Sequence, residues 1–104
     1  MKEIINELNN LKIIQKSTDW LEDLPENVYQ KYFYDKPCVE QECNIEEHRH
    51  YELAIDVYRL SKGYIGIIYV SKLYSEQSSV DDIFHTLKFV EMEPLEVVTY
   101  KIKK

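Results

Sequence analysis

Cys38, Cys43, His48 and His50 are the side chains best equipped for chemistry here, since thiolates and imidazoles both ligate zinc and the four fall close together. Their spacing is C-x4-C-x4-H-x-H, whereas structural zinc sites favour tighter cysteine pairs and histidines about three to five apart. Two histidines at i and i+2 of a strand share a face and can chelate together. On a polar outer face, however, a histidine is ordinarily just solvated. The expectation is no bound metal or other cofactor, with these four residues as the candidate ligands. Asp81, Asp82 and His85 form a second set, because i and i+4 on a helix meet on one side and a carboxylate–histidine pair can move protons. It lacks a companion nucleophile, so it reads as first-turn acids and a flanking histidine. No serine stands in a G-x-S-x-G context, and Gly63 and Gly66 are the only glycines, which excludes a glycine-rich phosphate loop. The chain is therefore not expected to be an enzyme.

Charge is the next feature. The 104 residues carry a formal charge of −6, unevenly placed. Through Asp56 there are 13 acids and 6 bases, a balance of −7, and beyond it 6 acids and 7 bases, a balance of +1. Such a first half argues against direct nucleic-acid binding, which needs Lys and Arg on phosphates. It suits a protein partner with a basic surface, whose approach it would steer. The acids concerned are Asp19, Glu22, Asp23, Glu26, Glu40, Glu42, Glu46 and Glu47. The first four also sit near a helix start, where carboxylates are favoured by the helix dipole. Nine tyrosines are too many for so small a core; Tyr58 and Tyr74 are expected at the surface, where tyrosine brings area and a polar tip to a binding face.

The elements that must position these residues follow from periodicity. Ile4, Ile5, Leu8, Leu11 and Ile14 recur at helical spacing over residues 2 to about 15, with Asn6, Glu7, Asn9, Asn10 and Lys12 outside. Pro25 suits the first turn of a second helix burying Val28, Tyr29, Tyr32 and Phe33. Residues 34–47 read as an acidic, exposed connection in which Cys38-Val39 can open an edge strand. The run HRHYELAIDVYRL alternates, placing Tyr51, Leu53, Ile55 and Val57 inward and His50, Glu52 and Asp56 outward. Ser61-Lys62-Gly63 is a tight hairpin connection in which Gly63 supplies a positive φ. YIGIIYV is apolar on both faces, so it is a central, covered strand. A short helix near 79–85 and strands over Leu87–Met92 and Leu95–Ile102 complete a single domain spanning 1–104. The fold class is α+β: N-terminal helices (1–34) packed on a three- to four-stranded antiparallel sheet (48–104) built around the 48–70 hairpin. No apolar run approaches the ~20 residues of a membrane span. The first residues carry acids within their apolar pattern, unlike a signal peptide. Cys38 and Cys43 alone make no disulfide framework, and a cytoplasmic setting is expected.

The segments HRHYELAIDVYRL, GYIGI, LYSE, DDIFHTLKFVEMEP and VVTYKIKK, spanning His48 to Lys104, resemble small proteins of phages and mobile elements of AT-rich Gram-positive bacteria. That group carries an aromatic residue where this chain has His50, a departure that sets the histidine pair apart from the resemblance. The short acidic members include anti-CRISPR proteins, so the resemblance implies an inhibitor that occupies a basic nucleic-acid-binding channel of a Cas nuclease. The remaining readings are a homo-oligomeric assembly module, pairing through the edge strand at Leu95–Ile102, and a small zinc-binding module.

Overall fold

In the computed structural model, residues 1–47, 51–73, 86–94 and 100–102 are described. Helix α1 (Lys2–Asn10) buries Leu8 and half-buries Ile4 and Ile5. It is shorter than its apolar periodicity suggests. The chain leaves the helix through Leu11 and Lys12, whose φ of 49° lies in the left-handed region, so Leu11 and Ile14 turn outward and Ile13 and Gln15 turn inward. A left-handed lysine costs about 1 kcal/mol relative to glycine, and it ends the helix as a glycine C-cap would. A 3-10 turn (Trp20–Asp23) follows. Then comes α2 (Glu26–Val28), capped by Pro25 and continued by a π-helical turn, Tyr29–Phe33, that buries Phe33. Asp35 (φ 57°) reverses the chain into the sheet.

Among the described residues the sheet has five antiparallel strands in sequence order: β1 (Cys38–Glu47), β2 (Tyr51–Leu60), β3 (Gly63–Leu73), β4 (Lys88–Pro94) and β5 (Tyr100–Ile102). Helices on one face of an antiparallel sheet make this an α+β fold, as the order of elements in the sequence requires. The β2–β3 hairpin is the expected one: Leu60 pairs with Gly63 across a two-residue loop, and Gly63 has φ 147°. β3 is the central strand. The segment expected as an exposed connection is instead largely β1, a ten-residue edge strand whose polar residues hid it from an apolar-run search. The expected helix near 79–85 and most of the strand over Leu95–Ile102 lie outside the described residues.

The helix-covered face of β2 is the reverse of the expected one. Ala54, Asp56, Tyr58 and Leu60 join Ile65, Ile67, Tyr69 and Phe89 beneath Trp20, Leu24, Val28 and Phe33. Leu53, Ile55 and Val57 face the other way and bury themselves with Val70, Val90 and Met92. Both faces of β2 are thus enclosed. A period-2 pattern says which residues share a face but not which face the helices will cover. Gly66 lies against Ile55 and Met92 of the second cluster: a Cβ there would stand 2.8 Å from Ile55 Cδ1 and 2.9 Å from Met92 Sδ, so those side-chain ends would have to shift.

Two side-chain amides bond to the sheet where backbone would otherwise do so. Asn9 Nδ2 donates to the Phe89 carbonyl (2.9 Å) and the Phe89 N–H donates to Asn9 Oδ1 (2.9 Å), which fastens α1 to β4. Gln15 is fully buried; its Nε2 donates to the Val70 carbonyl (2.8 Å) and its Oε1 accepts the Val70 N–H (2.7 Å). Val70 lies beyond the last β3–β4 pair, Ile68 with Lys88. Gln15 there replaces a missing strand partner, as buried backbone groups demand.

Candidate functional site

Trp20 is the hub from which the acidic border of the sheet is positioned. Its ring meets Phe33 edge-on at 5.5 Å and Tyr58 at 5.7 Å, and its Nε1 donates to Asp56 Oδ2 at 2.8 Å. Tyr69 Oη donates to Asp56 Oδ1 at 2.8 Å, and Gln41 Nε2 reaches the same oxygen at 3.2 Å. Asp56 is 5% exposed. Its charge is met by three neutral donors, one each from the 3-10 turn, β3 and the edge strand β1. The polar knot therefore locks the acidic turn above the sheet to the edge beside it. The alternation pattern had placed Asp56 outside; its burial has a physical cause, since three converging donors make burial tolerable.

The predicted acids divide as follows. Asp19, Glu22 and Glu26 are exposed on the helical layer. Asp23 is half-buried and used within the fold, where its carboxylate accepts the N–H groups of Lys16 (2.7 Å) and Ser17 (3.0 Å). On β1, Glu40 pairs with Val57 and Glu42 with Ile55, which sets both on the sheet face away from the helices. Glu42 is exposed, and Glu40 Oε2 is enclosed without a hydrogen-bond partner among the described residues. Glu46 and Glu47 continue the same strand. The acids are therefore divided between the helical layer and the opposite face of the sheet rather than covering one face. None of Asp19, Glu22, Glu26, Glu40 or Glu42 forms an ion pair among the described residues; the pair found there joins Lys31 and Glu7 (3.7 Å), in a separate cleft where Tyr32 also donates to Glu7.

Tyr58 is not a surface residue. It is 8% exposed between Trp20 and Phe33. Burial, with Cys38 and Asp56 nearby, pushes its hydroxyl up to about 12. Tyr34 is the tyrosine this border exposes (58%), beside Tyr29 at 6.3 Å. Its position just before the Asp35-Lys36-Pro37 turn was the available sign that it leaves the helix face. Tyr74 lies outside the described residues, as do Asp81, Asp82 and His85.

Of the four candidate zinc ligands, His48 and His50 lie outside the described residues. Cys38 opens β1, the strand that also contains Cys43. Burial raises the Cys38 thiol above its ordinary value, with Asp56 adding to the effect, which suppresses the thiolate that metals and electrophiles require. Among the described residues no group of three or more His, Cys, Asp or Glu is arranged to hold a metal ion, and no helix is long and apolar enough to cross a membrane.

No family model, curated protein or solved structure matches this chain.

Proposed function

We propose that this protein is a non-enzymatic inhibitor that binds a basic, phosphate-binding surface of another protein, with a Cas-type nuclease as the candidate target. The observation carrying this reading is the set of carboxylates Asp19, Glu22, Glu26, Glu40 and Glu42, which form no ion pair among the described residues and lie on the helical layer and on the opposite face of the edge strand β1. Carboxylates fixed by a folded scaffold can take the place of phosphates against Lys and Arg without the ordering cost of a flexible acidic tail. Residues 17–30 hold four acids and no base, and residues 37–47 hold another four acids and no base, so the local field is far more negative than the net charge implies. Tyr34 supplies an exposed aromatic contact at the same border.

The test is binding to a panel of purified nucleases, read by displacement of labelled nucleic acid. Affinity is expected to fall at least about tenfold between roughly 50 and 300 mM salt, and to be lost in the quadruple variant E22K/E26K/E40K/E42K with its fold intact by circular dichroism. Binding to a panel member that ignores both salt and charge reversal would overturn the proposal. A second reading, a homo-oligomeric module pairing through β5, draws support from Ile102, which is 50% exposed on that edge. Sedimentation at high concentration separates the two, since only the second predicts a dimer of the wild-type chain.

A further inference from the structure

Glu40 and Glu42 lie on the sheet face away from the helical layer, which carries exposed Asp19, Glu22 and Glu26, and β1 is an edge of that sheet. Among the described residues β1 pairs only with β2, so one side of its ladder is free over its length. Gln41, Glu42 and Ile45 are exposed along it. Irregularities interrupt the register between Cys38 and Glu40 and between Glu42 and Glu46, leaving Glu40–Glu42 as a regular run at the centre. Beside that run, Glu40 Oε2 is an enclosed oxygen with no donor among the described residues.

We infer that β1 accepts an added strand: an extended, Lys- or Arg-bearing segment of the partner protein pairs with the free edge at Glu40–Glu42. The inference rests on the reading of a basic partner and adds to it the mode of engagement. Alternate side chains of an added strand project to opposite faces. One set of its cations then meets Glu40 and Glu42, and the other set meets the side of the sheet that bears Asp19, Glu22 and Glu26. A flat basic surface could reach only one of these two groups at a time. Charge complementarity also selects the occupant. A second copy of the chain pairing β1 against β1 would set Glu40, Glu42, Glu46 and Glu47 against one another, and like charges across a ladder are destabilising.

The probes are two synthetic ten-residue peptides of equal charge, one repeating Lys-Lys-Thr-Thr, which sets Lys on both faces of a strand, and one with Pro in place of a Thr at one odd and one even position, so that only the first can complete a ladder in either orientation. Binding to the full chain is read by fluorescence anisotropy at low salt, and amide hydrogen exchange along β1 by NMR. The expected result is at least about tenfold tighter binding of the Lys-Thr peptide, with slowed exchange of the β1 amides that do not pair with β2. Equal binding of both peptides without such protection overturns strand addition while leaving the basic-partner reading intact. Failure of both peptides to bind overturns the two together. Protection of the β1 edge that rises with protein concentration in the absence of peptide makes a second copy the occupant and also overturns the inference.

Discussion

At the scale of single residues, Asp56, Tyr58 and Gly66 show how closely stability and the acidic border are tied. Truncating Asp56 strands the donors of Trp20, Tyr69 and Gln41. Asp56→Ala is therefore expected to cost about 3–5 kcal/mol in urea unfolding, the scale for breaking a buried charged network. Asp56→Asn should cost less but still destabilise, because its amide group presents donors to donors. Tyr58 gives a pH signature. Its hydroxyl is held near 12 in the fold, against about 10 in the unfolded chain. The native state thus keeps its proton where the unfolded state has lost it. Its contribution to stability is complete below pH ~10 and declines as pH rises toward ~12, by at most about 2.7 kcal/mol and by less where solvent screens the hydroxyl. Comparing wild type with Tyr58→Phe between about pH 9 and 12 should show that part of the alkaline loss vanish in the variant. Gly66→Ala drives a methyl into Ile55 and Met92, and a loss of about 1–3 kcal/mol in thermal or urea unfolding is expected from overpacking.

Among the elements, β1 is the one whose sequence and behaviour pull apart. As a free edge it is a hazard for self-pairing, and its carboxylates guard against that. Replacing Glu40, Glu42, Glu46 and Glu47 by Thr removes the guard and raises β-propensity, so the quadruple variant should self-associate in sedimentation where wild type does not. Helix α1 is held by Asn9 and the segment after it by Gln15, whose amides bond to backbone on β4 and β3 respectively. Gln15→Ala orphans a buried N–H and C=O on Val70 together and should cost about 2–4 kcal/mol in urea unfolding. Asn9 stood on the polar side of the helical pattern and was expected in solvent. Polarity marked it as not apolar, but nothing local distinguishes an amide facing water from one facing a strand edge.

Viewed whole, the molecule presents carboxylates on both sides of the sheet that form no ion pair among the described residues. Asp19, Glu22 and Glu26 lie on one side of it and Glu40 and Glu42 on the other, while Glu7 on α1 is neutralised by Lys31. The salt sensitivity and charge-reversal loss proposed above belong to this scale, since each exposed charge alone contributes little and the summed field steers association.

Local pattern determined a good deal unaided. Period-3.6 spacing placed α1 and the helical turn after Pro25, a period-2 run placed β2, a run apolar on both faces placed β3, and Gly63 marked their turn. These features depend on residues near in sequence, for which periodicity and turn chemistry suffice. The tertiary structure alone decided which face of β2 the helices cover, that Asp56 is buried while Tyr34 is not, and that polar residues 38–47 pair as a strand. Each of those outcomes turns on partners distant in the chain. Donors converging on Asp56 from residues 20, 41 and 69 make its burial favourable, and no window along the sequence contains them all.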